Sequence, residues 1–360
     1  LVLAAGAVAA PLGLPPVPIP ADNPQSEAKI QLGDRLFHDI RFSADGKVAC
    51  STCHEGSKAF TDGRRVSQGF KGLTGTRNAP TVVNAAYLST LFWDGREPDL
   101  EGQSKQPPVN PVEGGLPNHE PLLEVIRKDS GYVKAFKTVF GVEARDISMD
   151  HVAKAIASFE RTLVAGDSPF DRYRYGGDTE ALDAAQIRGL EVFIGQGRCV
   201  SCHRIEETQA LFMDNRFHNI GVGFKRIRGK EAQTAEAFLA SKRAGVSVDE
   251  TVLTSENMSE LGRFAVTENL TQIGAFKTST LRNIDLTAPY MHDGSLKTLE
   301  DVVEFYDNGG REKETDPLSA FLSGGIRPLE LSDQQEEDLV AFLKALTSPS
   351  IAAQAKTARN

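Results

Sequence analysis

The chain has 360 residues, long enough for two domains of ordinary size, and its 40% hydrophobic and 25% charged residues make a soluble globular composition rather than a disordered one. No apolar run approaches the roughly 20 residues that span a bilayer, which excludes a membrane-spanning helix. A net charge of −9 without clustered Lys and Arg excludes a nucleic-acid surface.

In chain order, Leu1 to Ala10 (LVLAAGAVAA) has the pattern of the end of a secretory h-region, with the small-residue pattern Ala7-Val8-Ala9, and a Pro-rich stretch from Pro11 to Pro20 follows. Residues 1–20 are expected to be a signal-peptide remnant and leader of an exported, periplasmic protein. A helical pattern then runs from Ala28-Lys29-Ile30 to Leu36-Phe37 and leads into Cys50-Ser51-Thr52-Cys53-His54. An amphipathic helix is expected from Ser148, near its N-cap, through Val152, Ile156 and Phe159 to Leu163. The same order recurs in the second half. There Ala185-Gln186-Ile187 to Val192-Phe193 leads into Cys199-Val200-Ser201-Cys202-His203, and a helix runs from Ser332 through Leu339, Phe342 and Leu343 to Leu346. The pattern predicts a mainly α fold of two cytochrome c-like helical domains, 21–165 and 166–348, with the boundary near Gly166 to Gly177 and a tail at 349–360. Residues about 206 to 275 enlarge the second domain, and Glu231 to Val248 reads as a charged surface helix and loop.

All four cysteines fall in the two C-x-x-C-H motifs. In this motif two thiols add to the vinyl groups of a haem and the adjacent His reaches its iron. A structural zinc site has no need of a His after each pair, and a thioredoxin-like pair needs one motif near a βαβ unit. Disulfides within such pairs close loops too short to add much stability. Two covalent haem c groups are therefore expected, one on Cys50, Cys53 and His54 and one on Cys199, Cys202 and His203. Because c-type haem is attached outside the bacterial cytoplasm, the similarity to other c cytochromes agrees with export.

An internal repeat compares the two haem sites. At an offset of 199, Pro80 to Gly95 falls on Ser279 to Gly294, with Thr81, Asn84, Asp94 and Gly95 matching Thr280, Asn283, Asp293 and Gly294. Leu100 and Glu101 meet Leu299 and Glu300, Trp93 meets His292, and Pro107 meets Tyr306. If position 306 faces the second iron, the first has a proline there and stays open to a ligand. From the repeat alone Tyr306 is equally well an aromatic on a helix face.

Over about Ser26 to Ser348 the chain resembles the bacterial dihaem cytochrome c peroxidases and their relative MauG, through LGDRLFHD, CSTCH, TRNAPTVVNA, FWDGR, CVSCH, TLRN, APYMHDGS and TLEDVVEFY. The resemblance implies a peroxidatic N-terminal haem with His54 on its iron and an electron-transfer haem with His203. It places the catalytic glutamate at Glu113, Gln103 and Pro107 in the same distal pocket, and the inter-haem tryptophan at Trp93. It also implies one calcium ion between the domains, on Asn78, Thr287 and Pro289. Two departures matter. Where many peroxidases carry a distal His, Val66-Ser67-Gln68-Gly69-Phe70 has none, so the first haem needs no reductive activation. Where the usual peroxidase has a Met ligand, fourteen residues after His292, this chain has Tyr306, as in MauG. Met291 and Met258 remain rival ligands and Met213 a weaker one, while His38, His119, His151 and His218 are expected at the surface or beside propionates.

The implied chemistry is that of an enzyme, a haem peroxidase-type oxidoreductase using hydrogen peroxide. Glu113 moves the peroxide proton, Gln103 orients the oxygen and Trp93 relays electrons. In a MauG-like reading, peroxide drives both haems to a high-valent state that oxidises aromatic residues of a partner protein. The alternatives are a peroxidase fed by a small cytochrome c or cupredoxin, and an electron carrier without peroxide chemistry. Tyr306 and the missing distal His favour the first.

Overall fold

Ser26 caps the first helix, Glu27–Phe37, by accepting the Lys29 N–H at 3.3 Å. This helix crosses Met149–Glu160 at Gly33, where a Cβ would lie 1.9 Å from the Ala155 carbonyl oxygen, so glycine alone lets the two backbones meet. The second half repeats the device. Helix Ala184–Ile194, capped by Asp183, crosses Asp333–Lys344, capped by Ser332, at Gly189, where a Cβ would lie 1.9 Å from the Asp338 carbonyl oxygen. Around the first crossing Leu32, Phe37, Phe136, Val152 and Ile156 form one core; around the second Phe170, Phe193, Phe212, Phe342 and Leu346 form another. Phe37 and Phe342 are wholly buried, each contributing about 1.5–3 kcal/mol of burial free energy.

This computed structural model describes residues 10–313 and 315–357, so the secretory pattern in Leu1 to Ala9 lies outside the described residues. The chain is predominantly α-helical. Among the described residues the one sheet is Phe217–His218 paired antiparallel with Phe276–Lys277. No helix there is long and apolar enough to cross a membrane.

The 199-residue repeat is a repeat of backbone conformation. Asn84 and Asn283 are both left-handed, at φ 64° and 60°, and their side-chain oxygens accept the N–H groups of Ala165 and Ser348, just beyond the closing helix of each half. Phe92 and Met291 are left-handed as well. Across the junction between the halves the symmetry becomes reciprocal. Asn78 N–H donates to the His292 carbonyl at 2.8 Å, and Lys277 N–H, at the equivalent position, donates to the Trp93 carbonyl at 2.9 Å.

The repeat breaks after Leu100. Helix Leu299–Asp307 runs nine residues, but its counterpart Leu100–Gln103 stops after one turn. Pro107 and Pro108 lack N–H donors, so the helical hydrogen-bond ladder cannot continue through them. The chain instead takes a short 3-10 turn at Pro107–Val109 and folds back, with Gly114 N–H on the Pro107 carbonyl at 2.9 Å. Pro107 is thus not a helical equivalent of Tyr306, although it lines the same cavity.

Three segments outside the two helix crossings also pack into the protein. The Pro-rich leader packs between the halves: Tyr87 Oη donates to Pro15 O at 2.9 Å, and the buried Arg282, paired with Asp171, donates to Gly13 O at 2.7 Å. The tail folds as helix Pro349–Thr357 and inserts Ile351 into the first core. The Glu231 to Val248 stretch is not simply a surface helix. Helix Glu231–Arg243 buries Ala235 and Phe238 in a third core with Val252, Leu261 and Phe264, against which Val112 of the first half packs. The charge-rich composition concealed this apolar stripe of small and aromatic residues. The insert therefore reaches the first half as well as the second, with Thr76 Oγ1 donating to Val252 O at 2.6 Å.

Candidate active site

Both C-x-x-C-H motifs open on one continuous, largely apolar cavity of about 740 Å³. Cys50–Cys53 forms one helical turn and Cys199–Ser201 one 3-10 turn. A single turn brings thiols three residues apart to the same side, with the following His beside them. His54 Nδ1 lies 3.2 Å from the Phe60 carbonyl and His203 Nδ1 lies 2.8 Å from the Phe212 carbonyl. A carbonyl only accepts, so each Nδ1 carries the proton and each Nε2 is left free for a metal. Both phenylalanines are left-handed, at φ 59° and 51°, a conformation uncommon outside glycine and here repeated at equivalent places. Burial lowers the proton affinity of both imidazoles, keeping them neutral as ligands must be. This donor set fits a covalent haem at each motif, with Cys50, Cys53 and His54 holding one and Cys199, Cys202 and His203 the other.

Glu113 reaches the first end of the cavity with Gln103, Pro107, Ser67 and Gly69. Its Oε2 is buried and has no hydrogen-bond partner among the described residues. Burial pushes the carboxyl up to about 8, Asp249 adds to the rise and Arg96 opposes it. A carboxyl near 8 is suited to take and return a proton at neutral pH.

Tyr306 lines the other end, beside Cys199 and Cys202. Burial raises its phenol above the ordinary range, and its hydroxyl makes no hydrogen bond among the described residues. Of the rival methionines, Met291 lines the cavity, while Met258 packs on the third core and Met213 is buried with Leu14 and Tyr87.

Between the ends stand Trp93 and His292, repeat equivalents whose rings meet edge to face with centroids 6.5 Å apart. Trp93 Nε1 donates to Asn78 O at 2.8 Å. His292 stacks on Phe276 at 3.6 Å and lies 2.9 Å from the buried Glu260 carboxylate. Asn78, Thr287 and Pro289 share this wall of the cavity. The Asn78 amide donates to Arg64 O, and its oxygen accepts no hydrogen bond among the described residues.

Sequence reasoning missed three residues. Glu160 lies on the buried stripe of its helix, four residues after Ile156, with an Oε2 that has no partner among the described residues and a carboxyl pushed up by burial to about 8. A charge falling on an apolar stripe was the available signal. Lys277, which burial lowers to about 7, lines the wall beside Trp93, and Asp249 from the insert approaches Glu113. Neither had a signal in the sequence. Of the histidines set aside, His38 is exposed, His119 bonds Lys105 O, and His151 packs on Phe140. His218 lines the cavity at 2.8 Å from Asp214. With Cys202, this pair could hold a metal, but a thioether at Cys202 leaves too few ligands.

The profile of a family described as di-haem cytochrome c peroxidase matches residues 27–180. A cytochrome-c peroxidase IdrP1 of Pseudomonas sp. (strain SCT) is 38% identical over 339 residues, covering 93% of this chain and 84% of its own length. The methylamine utilization protein MauG of Methylorubrum extorquens is 34% identical over 330 residues, covering 92% and 81%. A solved structure of a MauG-like protein associated with microbial copper homeostasis superposes with a TM-score of 0.77 at 35% identity, covering 95% of each chain.

Proposed function

The chain belongs to the dihaem cytochrome c peroxidase and MauG family of haem oxidoreductases acting on hydrogen peroxide, and from that premise we propose that it is a MauG-like enzyme, exported to the periplasm, that directs the oxidising power of peroxide onto a partner protein. The observation that carries this reading is Tyr306, a buried phenol that opens on the cavity beside the second motif and makes no hydrogen bond among the described residues. With His203, Tyr306 would be the side chain of this chain that holds the second haem's iron.

When bound, the two haems supply the iron that cleaves peroxide and the capacity to hold its oxidising equivalents. This chain's residues do the rest. Glu113 takes the proton from one peroxide oxygen and delivers it to the other as the bond between them breaks, and Gln103 donates a hydrogen bond that orients the substrate. Pro107 offers no donor atom and keeps the distal space open. Trp93 carries electrons between the halves. Its N–H points at the Asn78 carbonyl, which cannot take a proton, so loss of an electron leaves the indole a cation. Asn78, Thr287 and Pro289 would be the residues that hold one calcium ion.

The second reading is reduction of peroxide to water with two electrons from a small cytochrome c or cupredoxin. The name of the 38% identical relative, a cytochrome-c peroxidase, favours it.

Two measurements test the shared premise. A denatured, acid-extracted sample is expected to keep both haems on the chain, and release of either removes the two-site reading. The diferric protein is expected to show one high-spin, five-coordinate haem and one low-spin haem by EPR, and to react with peroxide without prior reduction. Ser67 and Gly69 of the His-free stretch face the cavity and cannot ligate iron. Two low-spin signals, with reaction awaiting an added electron, would overturn this part.

A further inference from the structure

The turn that carries Glu113 is held from the insert. Asp249, in helix Val248–Thr254, is 8% exposed, and its carboxylate accepts from Asn110 Nδ2 and from the Arg96 guanidinium, with Nε at 2.9 Å. Asn110 in turn organises the chain ahead of Glu113. Its Oδ1 accepts the Val112 N–H at 3.0 Å and its carbonyl accepts the Glu113 N–H at 3.2 Å. Arg96 lies over the Phe92 ring at 3.5 Å and also binds Asp94 at 3.0 Å, so it cannot follow a displaced partner. Leu253, one turn along the same helix, lines the cavity itself.

We infer that Asp249 is a positioning residue for the peroxide-facing carboxylate, holding Asn110 and through it the turn of Glu113, and setting a second carboxylate, shared with Arg96, beside it. The inference rests on the reading of Glu113 as the proton-moving group. The charged and titratable groups that face Glu113 are Asp249 from the insert, Arg96 from the first half, and Cys50 and Cys53, which are uncharged thioethers once haem is attached. Removing the Asp249 charge takes away the like charge beside Glu113 and leaves Arg96 paired with Asp94 alone, and both changes favour the carboxylate. The turn itself survives if the new side chain can still accept from Asn110. Charge and position are therefore separable. This gives the insert, which the sequence left without a role, a part in the chemistry of the opposite half.

The test is the pH profile of the peroxide reaction, followed by stopped-flow mixing of the dihaem protein with limiting peroxide. Wild type should show a limb that rises with pH as Glu113 loses its proton. In Asp249→Asn that limb should move down by about one pH unit, the lower end of what a neighbouring charge does. Asp249→Glu, which keeps the charge, should leave it in place. Asn110→Ala should leave the limb in place and lower the plateau by about 10²-fold, the cost of a misplaced catalytic group. A merely structural role would lower the plateau in Asp249→Asn without moving the limb. That result overturns the inference provided Glu113→Gln abolishes the limb; a limb that persists in Glu113→Gln instead overturns the reading of Glu113. Should Asp249→Asn not accumulate with both haems, an Asn110→Ala plateau equal to wild type overturns the positioning role by itself.

Discussion

Glu113→Gln is expected to leave both haems attached and to slow the reaction with peroxide by roughly 10²- to 10⁴-fold, the usual contribution of a positioned acid-base group. The substitution keeps the shape of the side chain and removes only its ability to exchange a proton. Since Oε2 makes no hydrogen bond among the described residues, no hydrogen bond to them is lost with it. The sign with pH follows from the cause of the shift. Burial and Asp249 raise the Glu113 carboxyl to about 8, so below that pH it holds its proton and cannot accept one from peroxide. The wild-type rate should therefore climb through this region, and the Glu113→Gln rate should be flat. Stopped-flow absorbance at several pH values measures both. Equal rates for the two proteins would make Glu113 a buried bystander and leave Glu160, the other carboxylate raised to about 8 on this cavity, to take its place.

Tyr306→Met is expected to reverse the balance between the two functions. An anionic oxygen ligand favours higher oxidation states of iron, whereas a thioether favours the reduced state, and axial ligands with their surroundings move haem potentials over about 0.8 V. Each 59 mV is about tenfold in a one-electron equilibrium, so even a fraction of that range decides whether the second haem accepts electrons readily. The wild-type protein should give a relatively long-lived oxidised state after one peroxide, with near-infrared absorption arising from both haems and Trp93. In Tyr306→Met that absorption should be lost or greatly shortened, while turnover with a small reduced donor should rise. The cavity accommodates the change, because among the described residues Tyr306 makes no hydrogen bond that a methionine would leave unmatched. If wild type shows no such absorption and oxidises a reduced cytochrome or cupredoxin rapidly, the peroxidase reading replaces the MauG-like one.

Much of the site was legible because covalent and backbone rules act locally. The spacing of Cys50, Cys53 and His54 and of Cys199, Cys202 and His203 is set by one turn of chain, so the sequence alone places thiols and imidazole together. The cap at Ser332 is equally local, and the match of Asn84 with Asn283 in the repeat marks a backbone turn that each half makes for itself. Glu113 was different. Nothing within the Pro-rich stretch from Pro107 to Pro111 separates a solvated loop from a buried acid, and only the family resemblance pointed to it.

What the sequence determined by itself is therefore the pair of haem-binding turns, the helices that flank them and the repeat that relates the two halves, all written in periodicity and spacing over a few residues. What only the tertiary structure decided is what lies between and beside them. The reciprocal bonds of Asn78 with His292 and of Lys277 with Trp93 join residues far apart in sequence. The packing of the leader against Arg282, the return of Ile351 to the first core and the approach of Asp249 to Glu113 depend on how whole segments close on one another. The physical reason lies in burial. A charge such as Asp249 or Glu160 is exposed or enclosed according to surfaces contributed by distant parts of the chain, and no local pattern encodes that enclosure.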